Sequence, residues 1–279
     1  MISLKPYNTY QLDAYAQYVY FPQTIKEILD IYAKHDKVVL LGNGSNVILA
    51  KTHYNDTAFI IMQGHFDHIY AVNEGIYAQA GVLLKSLAMH AYESSLSGVE
   101  TFFDVPASIG GAMVMNTGAY GDEIYDHVVY VDVLDLTTKN VNRIEKSVID
   151  YGYRYSMFQT MNCVILGACF SLIEKPKAVI QQKMDTILAQ RQSKLPIDPS
   201  AGSVFKRPDY HISVGEIIER MGLKGYKIGG AKISVKHGGV IINHNNATGA
   251  DILALIRFMQ DKVWDYCQVR LMLEQIIID

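Results

Sequence analysis

The sequence predicts an α+β fold in two parts. Up to about residue 174, apolar runs of strand length are interspersed with segments of helical periodicity. The stretch "EKPK" (Glu174 to Lys177) then interrupts the pattern, and long helical segments with short strands follow it. At 279 residues the chain exceeds a usual single domain, and its 49% hydrophobic content is enough for a substantial core.

In "TIKEILDIYAKH" the apolar residues Ile25, Ile28, Leu29 and Tyr32 share a helical face, and Thr24 with Glu27 reads as a capping box. "KVVLL" is a short strand running directly into "GNGSN", and "AFIIM" and "IYAQA" are further strands. "LLKSLAMHAYESS" aligns Leu83, Leu84, Leu87 and Ala91 on one helical face. Alternation at Val129, Val131 and Val133 predicts a strand, as does the run Val164 to Leu172. Beyond Lys177 come a long helix, "AVIQQKMDTILAQRQSK", and the proline-bearing loop "PSAGSVFKRP". A short helix near "VGEIIERMG", strands at "AKISV" and "GVIINH", a helix from about Thr248 to Tyr266, and an apolar stretch "VRLMLEQIII" of strand character complete the chain.

Net charge is −3 with acids and bases interspersed, which argues against nucleic acid as an obligate partner. Cys163, Cys169 and Cys267 form no CxxC pair, so small buried thiols are expected rather than a metal or disulfide site. The first 25 residues lack a continuous apolar core of the signal-peptide kind, and no apolar run reaches membrane-spanning length. A soluble cytoplasmic protein is the expectation, with no obligate protein partner evident.

Three groups of residues carry candidate chemistry. The loop Gly42, Asn43, Gly44, Ser45, Asn46 follows a strand and suits either a tight turn or a phosphate-holding nest of backbone amides. It is neither a P-loop nor the GxGxxG fingerprint, since Val47 stands where the third glycine belongs. The segment Gly98 to Ile124 is rich in glycine among small apolar residues, which favours a ligand on the main chain over a run of packed turns. The third group is scattered: Arg154, Lys194, Ser203 and Glu274. Taken singly, Arg154 would pair with Asp150 or Asp122, Glu274 would mark a solvated edge, and Ser203 lacks the GxSxG elbow of a hydrolase nucleophile.

Taken in order, "NTY" at Asn8, "LGNGSNVIL", "LSGVE", "PASIGGAMVMNTGAYG", "YRYS", "SAGSVFKRP", "LKGYKIGGAKISVKHGGVIINH" and "VRLMLEQIII" resemble the UDP-N-acetylenolpyruvoylglucosamine reductase family. These are flavoenzymes of peptidoglycan precursor synthesis. The resemblance implies a two-part FAD-binding domain of the PCMH (vanillyl-alcohol-oxidase-like) type over residues 1–174. A smaller α/β substrate-binding domain over residues 175–279 would follow. It implies that FAD is held without a covalent bond by Gly42 to Asn46 and by Pro106, Ser108, Gly110, Gly111, Asn116, Gly118 and Ala119. Arg154, Ser203 and Glu274 match the family's catalytic residues, and Lys194 matches a lysine that holds the UDP-sugar. By the same resemblance NADPH reduces the flavin, the substrate's enolpyruvyl group takes the hydride, and Ser203 donates a proton.

The chain departs from the commoner family pattern at Ala107, Thr117 and Arg207, and Arg207 would add a diphosphate contact. The short interval from Arg154 to Ser203 resembles the subclass without an inserted tyrosine loop. Two rivals remain at this stage: another FAD-dependent oxidoreductase on the same scaffold, and a non-catalytic nucleotide-binding module. Covalent flavin attachment would favour an oxidase, and absence of NADPH consumption would favour the module.

Overall fold

The computed structural model describes residues 1–279 and contains helices α1 (Ile25–Lys34), α2 (Leu84–Glu93), α3 (Ile109–Met115), α4 (Lys177–Lys194), α5 (Val214–Arg220) and α6 (Gly249–Cys267). The fold is α+β, and its residues gather into two compact units. One comprises Val19–Asn43 and Thr57–Gln190, the other Met1–Tyr18, Gly44–Asp56 and Arg191–Asp279. The chain thus passes between units four times, whereas composition marks one change near residue 174. Composition registers local preference; it carries no trace of pairing between segments more than 200 residues apart.

The unit of Val19–Asn43 and Thr57–Gln190 is built on a five-stranded antiparallel sheet. Its strands lie in the order Val141–Glu145, Val128–Asp135, Cys163–Phe170, Gly75–Gln79, Ile69–Val72. Val131 faces Ile144 on one side and Ala168 on the other, so the strand read from the valines is an interior strand, with register shifts at Val129 and between Asp132 and Val133. A parallel pair, Val38–Leu41 with Ala58–Ile61, lies in the same unit. The capping of α1 differs slightly from expectation. Thr24 accepts from the Glu27 amide, but the Glu27 carboxylate reaches the amide of Gln23 rather than that of Thr24.

Helix α3 is a correction to the sequence reading, which saw only glycine-rich loop there. Ser108 caps it by accepting from the Gly111 amide at 3.3 Å, and Ile109, Ala112 and Met113 are buried. Each glycine in a helix costs about 1 kcal/mol relative to alanine. Close packing of Gly110 on Ala80 offsets that cost, since an added side-chain carbon there would lie 3.3 Å from Ala80 Cβ and carbonyl oxygen.

In the other unit, α6 packs on an antiparallel three-stranded sheet, Lys227–Ile228, Ala231–Ile233, Ile241–Asn243. Ile252, Leu255, Ile256, Met259 and Val263 follow helical spacing and are buried. Thr248 and Asp251 form a complete capping box at its start. Only Ile276–Ile278 of the last apolar stretch is a strand, and it pairs in parallel with Val47–Leu49. The buried phenols are satisfied: Tyr54 donates to the Ile278 carbonyl at 2.6 Å and Tyr10 to Gln275 Oε1 at 3.0 Å. No helix is long and apolar enough to cross a membrane.

Candidate active site

In the sheet-based unit, two of the glycine-bearing segments meet. Asn43 Nδ2 donates to the Pro106 carbonyl at 2.8 Å, and a side-chain carbon on Gly42 would collide with Ser108 Oγ. Gly111 differs from its neighbours. A carbon added there would meet only Ser108 Oγ, at 3.5 Å, so protein packing alone leaves room for a larger residue. At Gly118, by contrast, the added carbon would stand 3.0 Å from Arg154 Nη1 and 3.1 Å from the Asp122 carbonyl.

Asn116 ends α3 in the left-handed conformation (φ 44°) and is fully buried. Its Nδ2 donates to Glu123 Oε2 at 2.7 Å and to the Gly152 carbonyl at 2.9 Å. Two acceptors on one side fix the amide orientation, because a flipped oxygen would face both of them. Asn116 Oδ1 is then left buried with no hydrogen-bond partner. An orphaned buried acceptor costs roughly 1–3 kcal/mol, so it marks a place for an external donor.

The hairpin Tyr151–Gly152 with Tyr155–Ser156 presents Arg154. Arg154 also has positive φ (53°), unusual for a side-chain-bearing residue. Gln159 Nε2 donates to its carbonyl at 3.1 Å and to that of Val114 at 3.2 Å. The Arg154 guanidinium donates from Nη2 to the Gly118 carbonyl at 2.9 Å. The two carboxylates expected as its simple partners are engaged elsewhere. Asp150 accepts from the Tyr155 hydroxyl, and Asp122 from Thr101 and Lys183. Lys183 also pairs with the buried Glu100 at 3.2 Å. Burial opposes ionisation of Glu100, but the Gly98 amide, its own amide, Ser97 and Lys183 outweigh it and hold its carboxyl below the usual range.

The second unit pairs the run that carries Ser203 with the run that carries Glu274. Ser203 pairs antiparallel with Val240, Phe205 with Leu273, and the Glu274 amide donates to the Val204 carbonyl at 2.9 Å. The short run Ser203–Lys206 is therefore flanked on both edges. Gln275, buried and next in sequence to Glu274, holds the preceding turn: its Nε2 donates to the carbonyls of Ala201 (2.9 Å) and Gly202 (3.3 Å). Asn46 Nδ2 donates to the Glu274 carbonyl at 3.2 Å, and Gly44 accepts from the Thr9 amide at 3.2 Å. Gly44 has φ 61°, and a side chain there would strike the Tyr7 carbonyl. This glycine is demanded by the protein's own turn. Lys194 ends α4 and is exposed, as is Arg207.

Glu123, Gln159 and Gln275 escaped the sequence reading. Each is a polar residue of ordinary type whose role comes from the backbone carbonyl or side chain it meets. For Gln275 the one available signal was a neutral amide inside an otherwise apolar run.

Comparisons with known proteins agree with this architecture. Residues 16–142 match the family model described as "FAD binding domain". Residues 192–278 match "UDP-N-acetylenolpyruvoylglucosamine reductase, C-terminal domain". The paired segments around Gly111 and the orphaned Asn116 oxygen fit a flavin nucleotide, whose diphosphate needs close backbone approach and whose ring N–H and ribityl hydroxyls can donate to such an acceptor. The fold and site define an FAD-dependent oxidoreductase.

A UDP-N-acetylenolpyruvoylglucosamine reductase of Francisella tularensis is 50% identical over 278 residues, covering 99% of both chains. That of Thermosipho melanesiensis is 38% identical, covering 90% of this chain and 85% of its own. The crystal structure of the same reductase from Thermus caldophilus superposes with a TM-score of 0.85 at 29% identity, covering 100% of this chain and 98% of that one. The chain belongs to the UDP-N-acetylenolpyruvoylglucosamine reductase family.

Proposed function

We propose that the protein reduces the enolpyruvyl group of UDP-N-acetylglucosamine enolpyruvate to UDP-N-acetylmuramate, using NADPH and non-covalently bound FAD. The reaction belongs in the cytoplasm. On this reading residues 1–174 serve chiefly the flavin and residues 175–279 the UDP-sugar. When bound, FAD would supply the redox chemistry, the relay of hydride from NADPH to the substrate's β-carbon.

The chain's own residues manage the charge and the proton. Hydride addition leaves negative charge on the substrate α-carbon and its carboxylate. Arg154, held by the Gly118 carbonyl and a left-handed backbone, offers a fixed cation for that charge. Such a carbanion is basic enough to take a proton from the neutral hydroxyl of Ser203. Glu274 orients the substrate carboxylate or acts as an acid. Lys194 holds the UDP-sugar and Arg207 adds a contact to its diphosphate, and Gly42 to Asn46, Pro106, Ser108, Gly110, Gly111, Asn116, Gly118 and Ala119 line the flavin site.

The observation that carries this reading is the backbone pairing of the two runs that carry Ser203 and Glu274, in which the Glu274 amide donates to the Val204 carbonyl. The test is a visible spectrum of the purified protein under anaerobic conditions. Flavin bands should bleach with NADPH and return when the enolpyruvyl sugar nucleotide is added. Bands that bleach but do not return with this substrate would leave an oxidoreductase of different specificity.

A further inference from the structure

The turn Lys236–Gly239 lies outside the roles assigned above, yet hydrogen bonds join it to residues that have them. Ser234 Oγ accepts from the amides of Lys236 (3.1 Å) and His237 (3.3 Å), and the Ser234 amide donates to the Val240 carbonyl at 2.9 Å. Within the turn, the Gly239 amide donates to His237 Nδ1 at 3.1 Å. A ring nitrogen that accepts carries no proton, so the imidazole is neutral with its hydrogen on Nε2. The ring is closely fitted: a carbon added to Gly215 of α5 would lie 3.3 Å from its Cε1, and one added to Gly239 3.1 Å away.

Two connections lead out of the turn. The Gly239 carbonyl accepts from the Val204 amide at 3.0 Å, and Val240 pairs with Ser203. Lys236 Nζ donates to the Gln192 carbonyl at 3.0 Å, two residues before Lys194.

We propose that His237 is a positioning residue: its unprotonated Nδ1 fixes the Gly239 peptide, which through Val204 and Val240 sets the Ser203 hydroxyl for proton donation. This rests on the reading of Ser203 as the proton donor. A protonated ring has no acceptor to offer Gly239. Gly238 and Gly239 are buried, so the amide has no water at hand to replace it, and the turn must rearrange.

The charged groups around the ring are Lys194 and Lys224 from neighbouring segments and Lys236 beside it. On α5, Glu219 pairs with Lys224 at 2.7 Å and Glu216 with Arg220 at 2.6 Å. Burial first, then Lys224 and Lys194, hold the His237 pKa below the usual histidine value against the opposing effect of a backbone hydrogen bond. The arrangement is therefore intact at neutral pH and fails on acidification.

The test uses the holoenzyme and stopped-flow measurement of both half-reactions between about pH 5 and 8, a span bracketing the histidine range. The variants are His237→Leu, His237→Asn and Ser203→Ala. Asparagine retains an acceptor oxygen near the Nδ1 position but has no proton to gain. His237→Leu should slow flavin reoxidation by the enolpyruvyl substrate roughly 10–10²-fold, the range expected for a misplaced catalytic group, with reduction by NADPH unchanged. His237→Asn should reoxidise near the wild-type rate at neutral pH and lose the acid fall-off seen in wild type.

The inference is overturned if folded His237→Leu reoxidises at the wild-type rate, or if His237→Asn keeps the full acid fall-off. Should the leucine variant not fold, the asparagine pH profile alone decides. Ser203→Ala separates the layers. Normal reoxidation in that variant removes the Ser203 role and this inference with it. Slow reoxidation there, with both His237 variants behaving as wild type, removes this inference alone.

Discussion

Ser203 occupies a run of four residues held on two edges, and its assigned role separates the two half-reactions. In Ser203→Ala, NADPH should reduce the flavin at close to the normal rate, since no substrate proton moves in that step. Reoxidation by the enolpyruvyl substrate should slow by about 10²–10⁴-fold, the usual cost of losing a general acid. Stopped-flow absorbance reads both. A second residue-scale prediction concerns Gly111. Valine at Gly110 or Gly118 should give flavin-poor protein, but both sites also press on protein atoms, so the loss would be ambiguous. Gly111 meets only Ser108 Oγ at 3.5 Å. Gly111→Ala should therefore raise the stability of the flavin-free protein by up to about 1 kcal/mol while lowering its flavin content. Thermal melts of the flavin-free form, beside the ratio of flavin to protein absorbance, check the pair of outcomes. Unchanged flavin content would remove Gly111 from the flavin site.

At the scale of elements, α4 delivers Lys194 at its last residue and α6 supports the sheet of the second unit. Lys194→Met should raise KM for the nucleotide sugar and leave flavin reduction by NADPH intact, the signature of lost binding rather than lost chemistry. A selective loss of the NADPH half-reaction would contradict that role. Thr248→Ala removes the cap of α6, whose hydroxyl accepts from the Asp251 amide at 3.1 Å. It should cost about 1 kcal/mol by denaturant unfolding without altering either half-reaction. The long elements were legible in the sequence because apolar spacing in α2 and α6 matches the face each buries, while α1 buries Ile28 with Ile31 and leaves Ile25, Leu29 and Tyr32 half-buried. Helix α3 was not, because Gly110 and Gly111 argue for loop until Ala80 is known to lie against Gly110.

Across the whole molecule, the titration of partly buried groups sets a pH window. Burial foremost holds His127 and His237 below the usual histidine pKa, while Glu100 lies below the usual carboxylate range for the reasons above. For the histidines, the unfolded chain takes up protons at a pH where the folded one does not, so stability falls as pH drops below about 6.5. For Glu100, stability is present above the unfolded carboxylate pKa and is lost as pH falls through its lower folded value. Melting temperature should therefore decline in two stages on acidification, the first weakened in His127→Phe and the second in Glu100→Gln. A flat profile between pH 7 and 5, about the span in which histidine titrates, would contradict the first stage.

The sequence by itself determined the fold class, the flavoenzyme family and the order of the main elements, because these rest on local periodicity and on segments recurring in fixed order. It also supplied the candidate residues Arg154, Ser203 and Glu274. Tertiary structure alone decided that the runs carrying Ser203 and Glu274 pair, that Asn116 leaves an acceptor open, and that Gly44 answers to the Tyr7 carbonyl. It alone drew the N-terminal residues 1–18 and 44–56 into one unit with 191–279. Pairings such as Tyr10 with Gln275 or Val47 with Ile276 join positions more than 200 residues apart. Nothing in the local chemistry of either partner names the other; only packing of the folded chain does.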